Sequence, residues 1–270
     1  MLDWSDMGPR PAGPKEGAVR VNVASRADLL ADLARRFRAG EGFSVATLNL
    51  DHVVKLGRDP AFRAAYAAQT HVTADGNPVV WLARLSGQRI GLVPGSEMVE
   101  PLVQLAAGLG VPVAFLGSTE ESLDLAARAL EARHPGLKVV ARIAPPMGFD
   151  PTGPGVQPCL DRIAASGARL CLLALGAPKQ EILAARAQQA LPGVGFVSIG
   201  AGLDFLSGAQ MRAPWLFRVL ALEWLWRLGA QPVRLARRYA ACFAILPRAT
   251  ARALRVRMDR SQRQAGQIRG

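Results

Sequence analysis

The chain has 270 residues, half of them hydrophobic, with 33 basic and 21 acidic side chains and a formal net charge of +12. This mix excludes a disordered chain, and the length suits one large domain or two small ones. No stretch approaches the roughly 18 to 20 uninterrupted apolar residues of a spanning helix, and the proline- and glycine-rich start lacks the apolar run of a signal peptide, so a cytoplasmic protein is expected.

Residues 1–17 read as a mobile leader. A strand is predicted over 19–23, then a helix opened by the capping pair Ser25 and Asp28, carried by Leu29, Leu30, Leu33 and Phe37, and stopped at Gly40. A strand over 44–48 leads into a loop and a helix begun by Asp59 and Pro60. Further strands are predicted over 111–116, 138–143, 169–175 and 194–199, with helices over 119–133, 156–166 and 179–190. The last two strands are continuous apolar runs, the mark of strands buried on both faces. The fold class expected is α/β: a mainly parallel, Rossmann-like sheet sandwich over 18–211 with a helical, arginine-rich appendage over 212–270. Cys159, Cys171 and Cys242 are scattered without a C-x-x-C pair, and His52, His71 and His134 form no cluster with them. Neither a disulfide framework nor a metal site is expected.

Charge divides the chain in the same place. From residue 212 onward there are 13 arginines against Glu223 and Asp259, a net of +11, which leaves the first 211 residues at +1. At helical spacing, Arg234, Arg237 and Arg238 share a stripe of about 100°, beside an apolar face of Leu235, Tyr239, Cys242, Phe243 and Leu246. Arg248, Arg252 and Arg255 make another stripe, and the preceding segment, with Trp215, Trp224 and Trp226, is apolar nearly all round. Basic residues beside tryptophans point to an anionic membrane surface. Nucleic acid is the rival partner, but no recognised nucleic-acid motif accompanies the charge, so none is expected.

In open α/β sheets ligands gather at the carboxyl ends of the strands. The loops expected there carry Thr47-Leu48-Asn49, Asp75-Gly76-Asn77, Gly117-Ser118-Thr119, Gly176-Ala177-Pro178-Lys179-Gln180-Glu181 and Gly200-Ala201-Gly202-Leu203-Asp204. Glycine lets backbone approach a ligand, and helix N-termini offer free N–H groups to phosphate. There is no complete dinucleotide fingerprint and no P-loop. Asp75 suits a general base, although an aspartate before glycine more often closes an Asx-turn; Lys179-Gln180-Glu181 suits either a ligand loop or an ordinary polar first helical turn.

Thr47-x-Asn49, Ala74-Asp75-Gly76, Gly176-Ala177-Pro178-Lys179-Gln180-Glu181, Gly200-Ala201-Gly202-x-Asp204, Arg212-Ala213-Pro214, and Leu222-Glu223-Trp224-Leu225-Trp226-Arg227-Leu228 followed by Pro232-x-Arg234 occur in that order. Together they resemble the WecG/TagA/CpsF family of bacterial glycosyltransferases, glycosyltransferase family 26, over about residues 20–247. The run 47–56 and Asp75-Gly76-Asn77-Pro78 look most like its exopolysaccharide branch, exemplified by GumM. The resemblance implies an inverting, metal- and cofactor-free enzyme that moves a hexose, glucose in that branch, from a UDP-sugar to a polyprenyl-diphosphate-linked saccharide at the cytoplasmic face of the inner membrane. It implies Asp75 as catalytic base, with Thr47 beside it. Asn49, Gly76, Gln180, Gly200 and Asp204 would line the substrates, while Arg227, Arg234 and Arg237 of a closing tail would grip the diphosphate. Homo-oligomers are a further implication. The family's usual Arg-Val-x-Gly-x-Asp reads Leu92-Val93-Pro94-Gly95-Ser96-Glu97 here, so its catalytic arginine is missing; either Arg89 or the tail arginines alone would supply the charge, with Ser96 expected to cap the next helix. The alternatives are an N-acetylmannosamine transferase acting on lipid-linked N-acetylglucosamine, and a non-catalytic nucleotide-binding module with a nucleic-acid-binding tail.

Overall fold

The computed structural model describes residues 1–7, 17–209, 214, 217, 223–230 and 232–268. Six strands, β1 (Phe43–Leu48), β2 (His71–Ala74), β3 (Val113–Gly117), β4 (Val139–Ile143), β5 (Leu170–Ala174) and β6 (Gly195–Ser198), form one parallel sheet in the order β2-β1-β6-β5-β3-β4. The α-helices whose bounds lie among the described residues are α1 (Arg26–Ala39), α2 (Leu50–Leu56), α3 (Pro60–Ala67), α4 (Asn77–Leu85), α5 (Gly95–Leu109), α6 (Glu120–Arg133), α7 (Val156–Ala165), α8 (Lys179–Ala190), α9 (Gly202–Ser207), α10 (Glu223–Ala230) and α11 (Pro232–Ile268).

Strand alternation sorts the core. Phe43, Val45, Leu170 and Leu172 face a layer built from α1, α5, α6 and α9. Ala46 and Leu48 point the other way, toward α2, α3, α4 and α11, as Cys171 and Leu173 do toward α7 and α8. Every residue of β1, β2, β3, β5 and β6 is buried, as the apolar runs require of strands covered on both faces. The edge strand β4, exposed at Val140, alternates instead.

Four expectations change. Residues 19–23 are no strand: Val19, Val21 and Val23 are buried in alternation, but the segment is tied to β2 largely through Asn22, whose Oδ1 accepts the Val72 N–H at 2.7 Å. The loop expected after β1 is helix α2, because Asn49 caps it by accepting the His52 N–H at 3.0 Å. Ser96 does not cap α5, which opens at Gly95 behind Pro94 with no side-chain cap, while Glu97 pairs with Arg26 at 2.9 Å. Within the expected leader, Leu2, Trp4 and Met7 are buried against the core.

The C-terminal helix α11 packs along α2 and α4. Its inward face is Leu235, Cys242, Ile245, Ala249 and Ala253, whereas Phe243, expected on that face, is 53% exposed and lies edge-on to Trp224 of α10. Arg238 pairs with Asp51 of α2 at 3.0 Å, and Arg260 donates to the Gly87 carbonyl beyond α4 at 3.1 Å. No helix among the described residues is long and apolar enough to cross a membrane.

Candidate active site

The sheet order puts a topological switch point between β1 and β6. From β1 the chain leaves for α2 on one face, and from β6 it leaves for α9 on the other. Neighbouring strands whose connections part in this way leave an opening at their carboxyl ends. The N-terminus of α5 lies at the same edge. A Cβ on Gly95 would stand 2.7 Å from the Ser198 carbonyl oxygen and 3.1 Å from Thr47 Cγ2, so only glycine lets the helix come this close. Gly95→Ala is expected to destabilise the protein by about 1–3 kcal/mol and to lower activity through Thr47, measured by urea unfolding and turnover.

Thr47 and Thr73 are register partners, so Asp75, two residues past Thr73, stands diagonally across from Thr47 on one face. Thr47 Oγ1 donates to Asp75 Oδ2 at 3.1 Å, and the Asp75 N–H donates to the Leu48 carbonyl at 2.8 Å. Asp75 is half-buried at the carboxyl end of β2, followed by Gly76 at φ 124°, a backbone state closed to ordinary side chains. Behind the pair, Tyr66 Oη donates to the Thr47 carbonyl at 2.7 Å, and His52 Nδ1 lies 2.9 Å from that carbonyl and 2.7 Å from the phenol. Burial drives the His52 imidazole down to about 3 and the Tyr66 phenol well up, so both stand neutral as braces for the end of β1.

On the β6 side, Gln180 and Glu181 are both buried, unlike an ordinary polar first helical turn. Gln180 Oε1 accepts the Gly200 N–H at 3.1 Å, while its Nε2 donates to Glu181 Oε1 at 2.9 Å. Lys55 of α2 spans Asp51, at 2.9 Å, and the Ala177 carbonyl, at 3.3 Å, joining α2 to this loop. Asp204 faces the β3 end: Ser118 Oγ donates to its Oδ1 at 2.5 Å, and Ser122 Oγ at 3.3 Å.

The fold therefore brings Thr47 and Asp75 into contact, with Asn49 across from Gly76, and ties Gln180 to Gly200. Asp204 is engaged on the other flank. Arg89 is exposed in the loop between α4 and α5, and Arg237 is exposed on α11. The side chains of Arg227 and Arg234, and all of Arg212, lie outside the described residues. His52, Tyr66, Lys55 and Glu181 escaped the sequence reading; only the proximity of His52 and Lys55 to Asn49, and of Glu181 to Gln180, hinted at them. A cavity of about 520 Å³ lined by Thr152, Gln157, Arg186 and Gln189 lies beside α7 and α8, and none of the expected site residues borders it.

A parallel doubly wound sheet with a carboxylate and glycine-rich loops at the carboxyl ends of its strands is a scaffold for nucleotide-type ligands and acid–base chemistry. Comparison with protein-family profiles matches residues 17–263 to the glycosyl transferase WecG/TagA/CpsF family, and the chain belongs to that family. It is a glycosyltransferase by family, and the expected Rossmann-like α/β class holds.

Proposed function

We propose that the protein transfers a hexose, glucose in the first instance, from a UDP-sugar to a polyprenyl-diphosphate-linked saccharide in exopolysaccharide assembly, with inversion at the anomeric carbon. The reading is carried by one observation, the Thr47 to Asp75 contact across the carboxyl ends of β1 and β2. Asp75 takes the proton of the acceptor hydroxyl as its oxygen attacks the anomeric carbon, and the bond from that carbon to the diphosphate breaks, releasing UDP. Thr47 orients the carboxylate. The loops that the Gln180 to Gly200 contact ties together receive the nucleotide, and arginines of the tail, with Arg227 and Arg234 foremost, balance the growing charge on the diphosphate.

The acceptor's lipid sets the location, the cytoplasmic face of the inner membrane, with the protein held peripherally through α11. On its outward side Val233, Phe243, Leu254 and Met258 are 94, 53, 43 and 56% exposed. At the helical pitch they share a sector of about 80°, flanked by Arg237 and Arg255 on one side and Arg257 on the other. An apolar stripe edged by arginine matches an interface of acyl chains and anionic headgroups, where each cation contributes about 1 kcal/mol.

The test joins both parts. Anionic liposomes carrying a polyprenyl-diphosphate saccharide should take up label from UDP-glucose, and the protein should float with them. The variant L254E/M258E, altered only at exposed positions, should stay in the aqueous layer. Label accepted only from UDP-N-acetylmannosamine would replace the hexose, and equal flotation of the variant would remove the α11 stripe from membrane binding.

A further inference from the structure

An ionised carboxylate loses its hydration on burial, so a glutamate without exposed surface is sustained by a cation or held as the neutral acid. Glu181 has no exposed surface. Its Oε1 accepts from Gln180, and its Oε2, equally buried, has no hydrogen-bond partner among the described residues. Because Gln180 turns its amide nitrogen to Glu181, its oxygen is the end left to accept the Gly200 N–H. One carboxamide thus spans the loops after β5 and β6, and Glu181 and the Gly200 N–H together fix which way it points. The groups facing Glu181 are Lys55 of α2, Asp75 at the end of β2 and the Tyr66 phenol of α3; Lys55 is already engaged by Asp51.

We propose that Glu181 is a positioning residue for the sugar donor: it clamps the Gln180 carboxamide between the two glycine loops, and it works as a neutral acid, so that a diphosphate lies over these loops with no buried carboxylate beneath it. This rests on the nucleotide-sugar reading above and adds a group that itself touches no substrate. Burial pushes the Glu181 carboxyl up to about 7, which places the change of charge within the working range. Once the proton leaves, a negative charge in a poorly screened site repels the diphosphate, and by reciprocity anion binding opposes the ionisation. Donor affinity must then fall as pH rises through that value. A one-unit shift of the carboxyl by the ligand corresponds to about tenfold in affinity.

The experiment is calorimetric titration of the full chain with UDP-glucose, whose diphosphate keeps a constant charge, from about pH 6 to about pH 9. The wild type should weaken about tenfold across the range, while E181Q, which keeps the amide clamp, should show no such slope. E181L, without the clamp, should bind more weakly at every pH. Infrared spectra at neutral pH should show a protonated-carboxyl band that E181Q lacks. A flat wild-type profile, or an unchanged slope in E181Q, overturns the inference while leaving the nucleotide-sugar reading standing. Absence of binding of both UDP-glucose and UDP-N-acetylmannosamine at every pH overturns that reading, and this inference with it, even where the carboxyl band is present.

Discussion

Replacing Asp75 by asparagine is expected to cut turnover by about 10³-fold while leaving UDP affinity nearly unchanged, within the range that general bases contribute. Asparagine keeps the shape of the side chain and can still accept from Thr47 Oγ1, now 3.1 Å from Asp75 Oδ2, so the end of β2 should hold. What it cannot do is take up a proton. The loss should therefore fall on kcat, with the nucleotide loops at Gln180 and Gly200 undisturbed. Turnover assays paired with UDP titration check both halves. Normal turnover would strip Asp75 of the role of base, and joint loss of turnover and binding would make it a structural residue.

How much of this was legible in the sequence differs from element to element. β5 and β6 were, because their apolar runs leave few alternatives to a strand covered on both faces. α1 was, since Ser25 and Gly40 mark its ends by local hydrogen bonding and a left-handed cap that need no tertiary context. α2 was not: seven residues are too few for a periodicity to show, and its cap, Asn49, looked like a ligand residue. The inward face of α11 was also hidden. The helix carries two apolar faces, one through Leu235, Cys242 and Ile245 and one through Phe243, Leu254 and Met258, and only packing against α2 and α4 decides which one is covered. In the site, Asp75 and Thr47 stood out by motif, but for Glu181 the motif left a ligand loop and an ordinary polar helical turn equally open. Its burial arises because α8 packs against α3, β6 and β1, a placement set by the fold and invisible to residue spacing.

Two buried groups of opposite sense should make acid stability depend on which of them is present. His52, fully buried, is held down to about 3 from an ordinary value near 6.5, so below that ordinary value the unfolded chain takes up a proton that the folded one refuses. Stability is lost as pH falls from about 6.5 toward 3, by as much as about 4–5 kcal/mol. Glu181 acts in reverse. Its carboxyl is raised from 4.5 to about 7, so the folded state holds a proton that the unfolded state has released, and stability is gained as pH falls through that window, by up to about 3 kcal/mol. Between about pH 6.5 and 4.5 the two slopes oppose each other, and the wild type is buffered against mild acid. E181Q removes the compensating half. Its stability relative to wild type should be highest near pH 8 and fall by about 3 kcal/mol on going to about pH 4.5, read from urea unfolding at each pH. A pH-independent difference would mean that Glu181 is ionised in both states and that its burial is compensated by a cation; His52 would then set the acid limit without opposition, and wild type and E181Q would weaken in parallel below about pH 6.5.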